Sequence, residues 1–309
     1  MNTVLFGNGF NLLNGSDSWG KIVRTISEEN NEGKIPNTLQ YEDLIVKEPY
    51  QTDLYLITEN GDHITTDDGD RIIIGSEKTE RLLLRERIVN GMKDYSSNES
   101  FDHLMQLNVE NYLTTNYDHV AEKVLKSLGF SEKEPIVVKE DSIKQNLQRN
   151  HIYVKENRNE AVWHIHGETT DVNSIILGMD QYCKYVSIID DYLQGKIDNV
   201  PNMEERLKNI STMQILSWID LFFVSDVYII GFGLEYAEMD LWYVLLRRKR
   251  MLKSYGNGLI SNKIYFYNDV PSGKGRLLQD LGVIVMSDIS SDYSSRYQHY
   301  IDCIAEKCL

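Results

Sequence analysis

Apolar positions along this chain fall into short β-branched or aromatic runs that stop at Gly, Asn or Asp. They are TVLF before Gly7, YLTT before Asn116, IVV after Pro135, VWHIH before Gly167, SIILG at 174–178, VYII before Gly231, KIYFY before Asn268 and GVIVM at 282–286. Helical spacing fills the intervals between them, and strands that alternate with helices predict a parallel sheet covered on both faces. Ligands of such sheets gather at the carboxyl ends of the strands, where the Gly, Asn and Asp stops fall.

Two stretches break the alternation. Residues from about 16 to 105 hold an expected hairpin (LYLIT, ENGD, HITTDDGDRIIIG) followed by an amphipathic segment from Glu77 to Lys93. Residues from about 179 to 223 hold a helical block whose apolar faces carry Tyr182, Tyr185, Ile188, Ile189 and Tyr192, then Ile215, Leu216 and Trp218. Five prolines and no repeat or low-complexity tract give no linker, so residues 1–309 read as a single domain with these two insertions. The segment from Asp292 to Leu309 reads as a helix that packs on the core or on a neighbour. The expected class is α/β, a doubly wound, mostly parallel sheet with helical insertions.

Composition narrows the setting. Apolar residues at 41% and charged ones at 26% are ordinary for a globular chain. No apolar run reaches 18 residues and no basic segment precedes TVLF, so neither a membrane span nor a secretory signal is expected, and a cytoplasmic location follows. With 47 acidic against 32 basic residues the net charge is −15, which makes nucleic acid a poor partner. Cys183, Cys303 and Cys308 are too few and too scattered for a disulfide framework or a four-cysteine zinc site.

Four motifs carry chemistry. In GNGFN, Gly7 to Asn11, glycines after the first strand let backbone approach a pyrophosphate, although the next glycine, Gly15, does not complete a GxGxxG fingerprint. A tight strand-to-helix turn would use the same residues. In TTNYD, Thr114 to Asp118, a strand ends where a helix from about His119 to Leu128 begins, closed by Gly129. Asp118 is suited to cap that helix, and Asn116 can hold a water or a sugar hydroxyl. In WHIHG, His164 and His166 share one face of a strand, but no carboxylate or cysteine sits at a telling spacing, so no metal is expected. His166, at the strand tip, is the candidate general base, and His164 reads as a satisfied core histidine. In IIGFGLEYAEMDLWYVLLRRKR, Gly231 and Gly233 end a buried strand. The helix after them buries Leu241, Trp242, Leu245 and Leu246 and brings Arg247 to Arg250 near its negative end as solvated surface. Asn268 either reaches a ribose or starts the turn NDVPSG.

The order GNGF, TTNYD, HIHG, GFGL and a strand ending in Asn resembles the sirtuin-like (silent-information-regulator) superfamily, from Gly7 to about Met286. It is particularly similar to the bacterial sirtuin-like proteins of antiphage defence, and also close to the abortive-infection H family, from which Asn11 and TTNYD depart. The resemblance implies a Rossmann-like fold around NAD and hydrolysis of NAD to nicotinamide and ADP-ribose as an abortive-infection effector. It further implies catalytic Asn116, His166 and Asp118, with cofactor contacts from Gly7, Asn8, Gly9, Phe10, Asn11, Thr115, Gly231, Gly233 and Asn268. Three distant cysteines cannot build the zinc module of protein-deacylating sirtuins, and Asn8 stands where the usual GAGxS opening has alanine. An idle NAD- or ADP-ribose-binding regulatory module and an ADP-ribosyltransferase are the alternatives. A homo-oligomer, and a regulatory partner protein from the same defence operon, are expected from the resemblance.

Overall fold

The computed structural model describes residues 1–15, 85–86, 88–92, 95–133, 142–287 and 292–308. The expected hairpin at 54–75, most of the segment from Glu77 to Lys93 and the IVV run lie outside these residues.

Among the described residues an eight-stranded sheet has the order β3-β4-β5-β2-β1-β6-β7-β8. Its parallel part joins β5 (Arg158–His164), β2 (Asn111–Thr114), β1 (Asn2–Phe6), β6 (Asp226–Ile230), β7 (Ile264–Tyr267) and β8 (Val283–Met286). At one edge β4 (Asn150–Lys155) and β3 (Ser131–Glu132) add in antiparallel fashion. The architecture is the mostly parallel, Rossmann-like α/β sheet that the run-and-stop pattern predicts.

Alternate residues of the central strands feed two cores, which is why these strands tolerate so few polar residues. Leu5, Leu113, Val227, Ile229, Ile264 and Phe266 enter one core, with α5 (Met179–Leu193), α6 (Met203–Lys208), α7 (Trp218–Val224), α8 (Met239–Tyr255) and α9 (Ser272–Asp280). Val4, Phe6, Tyr112, Tyr228, Ile230 and Tyr267 enter the other, with α1 (Gly9–Leu12), α2 (Glu99–Leu104), α3 (Val120–Ser127) and α10 (Tyr293–Cys308). A short α4 (Ser142–Gln145) precedes β4. The block at 179–223 is helical as its periodicity predicts, and α10 packs on the core through Tyr297, Tyr300, Ile301 and Ile304. Within the first core Arg206 and Asp220 form a buried ion pair, Nη1 at 2.8 Å and Nη2 at 2.6 Å, in which Tyr192 also takes part. No helix among the described residues is long and apolar enough to cross a membrane.

Three expectations change. SIILG is no strand: Ile175 and Leu177 are buried in a small cluster with Ile88, Val89, Met92 and Tyr117, while Ile176 points into the first core. Its backbone is met locally, Ile176 N–H donating to His166 O at 3.0 Å and Leu177 N–H to Gln181 Oε1 at 2.8 Å. An apolar run reports burial, and burial here needs no ladder. The basic run Arg247 to Arg250 lies in mid-helix, since α8 continues to Tyr255. Arg248 is buried there, donating to Phe222 O at 2.9 Å and to the Asn262 side chain at 3.1 Å, and desolvation brings its pKa down to about 10. Finally, Trp242 and Leu246 are only partly buried; Leu241, Val244 and Leu245 form the buried stripe of α8.

Candidate active site

Strand β1 has β2 on one side and β6 on the other. After β1 the chain passes to α1 on one face of the sheet, and after β6 to α8 on the opposite face. The carboxyl ends of β1 and β6 therefore flank the reversal point at which open α/β sheets bind ligands. The two loops touch: Gly9 N–H donates to Gly231 O at 2.8 Å. This approach explains the glycines. A Cβ on Gly7 would sit 2.6 Å from the Phe232 ring. One on Gly9 would overlap the Tyr297 hydroxyl and lie 2.6 Å from Gly231 O. Gly231 itself has φ +65°, a left-handed conformation that a side chain resists, and a Cβ there would meet the Phe10 ring at 2.7 Å. Gly233 is exposed, and its carbonyl accepts from Lys274 Nζ at 2.6 Å.

The loop after β1 is also tied to the loop after β2. Asn11, 2% exposed, donates from Nδ2 to Asn8 Oδ1 and to Asp118 Oδ2, both at 3.0 Å. Asp118 Oδ1 accepts Val120 N–H at 3.0 Å, so this carboxylate caps the helix as expected, although the residue at the cap position is His119. Burial raises the Asp118 pKa, against the pull of its two donors. Gly129 closes the helix at φ +90°. Thr115 is buried and its N–H faces Phe6 O at 3.4 Å. Phe10, expected at the cofactor, instead gives its ring to the core: fully buried, it meets Phe101 and Tyr297 at centroid distances of 5.4 and 4.7 Å. Asn268 follows β7, donating to Phe232 O at 3.3 Å and so fastening the β6 and β7 loops together.

Asn116 and His166 occupy equivalent places on adjacent strands, each two residues beyond the paired Thr114 and His164. Asn116 is 5% exposed, and its Nδ2 is buried without any hydrogen-bond partner. A buried amide left unpaired costs about 1–3 kcal/mol, a cost met when a ligand supplies the acceptor. His166 is equally enclosed. Its Nε2 lies 2.8 Å from Asp240 Oδ2 at the start of α8, while Nδ1 faces Tyr182 Oη at 3.5 Å and Glu238 Oε2 at 3.8 Å. Burial works to lower the His166 pKa, but the Asp240 carboxylate and its hydrogen bond outweigh burial and raise it. Burial pushes Glu238 up to about 7 against the opposing pull of His166. Asp240 thus orients the imidazole, leaving Nδ1 as the nitrogen able to take a proton.

His164 turns the other way. Fully buried, it gives Nδ1–H to Asn116 O at 3.2 Å and meets Glu122 Oε1 through Nε2 at 2.6 Å. Burial disfavours its charge, yet Glu122 raises it to about 9; Glu122 is held well below the usual carboxylate range by His164 and His119 despite its own burial. His119 and His151 complete this group. Among the described residues two sets could hold a cation, His166 with Glu238 and Asp240, and His119 with Glu122, His151 and His164.

The sequence motifs therefore converge on one region, while Tyr182, Glu238 and Asp240 were missed. Asp240 looks like any acid in the first turn of a helix, and no spacing links it to His166.

No curated protein matches the chain. Residues 110–255 match the family described as SIR2-like domain. That match runs from β2 to the end of α8 and includes Asn116, His166, Gly231 and Asp240, so this part of the chain is similar to the SIR2-like, or sirtuin-like, family.

Proposed function

We propose that this protein is an NAD glycohydrolase that cleaves NAD to nicotinamide and ADP-ribose. The observation that carries this reading is the unpaired, buried amide of Asn116 beside the Asp240-oriented His166, at the carboxyl ends of adjacent parallel strands. NAD suits so sparse a site. Nicotinamide departs from the ribose as a neutral amine, so no general acid is needed, whereas a glycosidase must protonate its leaving oxygen. What remains is to stabilise an oxocarbenium-like sugar and to deliver water.

In this reading Asn116 holds the water or a ribose hydroxyl through Nδ2. His166 Nδ1 accepts the proton as the water oxygen bonds to the anomeric carbon and the carbon–nitrogen bond breaks. In this reading the main-chain N–H groups of Gly7 and Asn8, with those of residues 231–233, serve the diphosphate at the reversal point between β1 and β6, while Gly9 N–H stays on Gly231 O and holds the two loops together. This reading assigns Asn268 to a ribose hydroxyl. Asp118, whose oxygens are already engaged by Asn11 and Val120, acts as a positioning residue that holds the first loop against the second.

The biological role that fits the resemblance is an antiphage, abortive-infection effector depleting cellular NAD. A constantly active enzyme would deplete NAD in its own host, so this role calls for a trigger, supplied by self-assembly or by a partner protein. The test is nicotinamide and ADP-ribose release by the recombinant protein and by the Asn116→Ala and His166→Ala variants. Each variant is expected to lose at least about 100-fold in turnover. Full activity in both refutes the site. NAD content of phage-challenged cells, with and without the chain, tests the role.

A further inference from the structure

We propose that His119, Glu122, His151 and His164 form a binding site for one divalent transition-metal ion of the zinc type, distinct from the nucleotide site. The four residues come from three elements: His119 and Glu122 from the start of α3, His151 from β4 and His164 from the end of β5. Their ligand atoms lie within 4.8 Å of one another, and the three imidazole rings are 5.0, 5.7 and 5.8 Å apart. Tetrahedral zinc, with bonds of about 2.0–2.1 Å, closes this set by an inward movement of under about 1 Å per ligand.

Independent of that proximity, two atoms of the group are buried without a hydrogen-bond partner, Glu122 Oε2 and His119 Nε2. Glu122 is 3% exposed, so its free oxygen has no access to bulk water. The outer contacts are those of metal-binding histidines, whose second nitrogen is held by a carbonyl or carboxylate. His164 Nδ1 is fixed by Asn116 O at 3.2 Å and His151 Nδ1 by Glu132 Oε1 at 3.0 Å, which turns Nε2 of each ring inward. Glu168 Oε2 faces both His151 Nε2 at 2.7 Å and His119 Nε2 at 3.6 Å, and Arg149 holds the other Glu168 oxygen at 2.8 Å. The ion replaces protons that these rings share with Glu122 and Glu168. Three imidazoles and one carboxylate suit zinc and its neighbours rather than magnesium or calcium, which take oxygen. Bound there, the ion staples the antiparallel edge of the sheet to the loop whose carbonyl belongs to Asn116.

The site stands or falls apart from the NAD reading, because its test measures binding. The full chain, without a histidine tag, is stripped with chelator and titrated with Zn²⁺ by calorimetry; Co²⁺ is added in parallel and its visible ligand-field absorption recorded. The expected result is one equivalent of Zn²⁺, a Co²⁺ spectrum of low coordination number and a rise in melting temperature. Zn²⁺ affinity is expected to fall at least about 10-fold in His151→Ala and in His119→Gln. It is expected to be unchanged in His103→Ala, whose imidazole pairs with Gln298 elsewhere. Circular dichroism verifies that each variant is folded. Absence of stoichiometric Zn²⁺ uptake by the wild type, or undiminished affinity in the folded His119→Gln protein, overturns the site and leaves a proton-linked ion-pair network in its place.

Discussion

Replacing Gly9 by alanine tests the loop contact on which the site is built. A methyl group at this position overlaps the Tyr297 hydroxyl and comes within 2.6 Å of the Gly231 carbonyl oxygen, so the β1 and β6 loops must separate. Overpacking of this kind costs about 1–3 kcal/mol. Separation also breaks the 2.8 Å bond from Gly9 N–H to Gly231 O, worth a further 0.5–1.5 kcal/mol or so. The sum, about 1.5–4.5 kcal/mol, corresponds to a fall of roughly 2–7 °C in melting temperature for a chain of this size. The two obstacles can be told apart by calorimetric melting of Gly9→Ala, Tyr297→Phe and the double variant. Removing the hydroxyl relieves one clash and leaves the main-chain oxygen, so the double variant is expected to recover less than half of the loss. A Gly9→Ala protein that melts within 1 °C or so of wild type refutes the account, as does full recovery in the double variant.

Other consequences are as direct. Asn116→Ala removes a buried amide whose Nδ2 has no partner, so folding stability is expected not to fall and to rise by up to about 1–3 kcal/mol by urea denaturation, while NAD cleavage is lost. Arg206→Ala leaves Asp220 buried without its cation and is expected to cost about 3–5 kcal/mol by urea denaturation. Glu160, whose carboxyl burial raises to about 7 despite its bond to Arg158, makes stability depend on pH. The fold favours the protonated form, so this contribution is complete below about 4.5 and is lost as pH rises through 7, amounting to about 3 kcal/mol at most. Denaturation at pH 5 and pH 8 should show that loss in wild type and a much smaller one in Glu160→Gln.

The parts of the site legible in the sequence are those where backbone geometry or strand ends demand particular residue types. Gly7, Gly9 and Gly231 are required by close approach, and Asn116 and His166 stand where apolar strands stop. The remainder was hidden because it joins distant elements. Asp240 lies 74 positions from His166, and the group around His164 draws on a helix start and an antiparallel strand. That strand, NHIYVK, lies next to the edge, flanked on its outer side only by the two-residue β3; its side chains are largely accessible, Tyr153 being the buried one, and it therefore lacks the apolar run by which the inner strands are recognised. SIILG misled in the opposite sense, because a loop can be as dry as a strand.

The place of β1 in the middle of the sheet has a consequence for biosynthesis. Thr3 and Ser225 share a buried hydrogen bond across 222 positions of chain. At ordinary translation rates the first strand emerges roughly 10–45 s before its β6 neighbour. Through that interval the β1 loop lacks the β6 loop to which Gly9 N–H bonds, so the candidate site at the reversal point cannot assemble until the chain beyond residue 230 has been made.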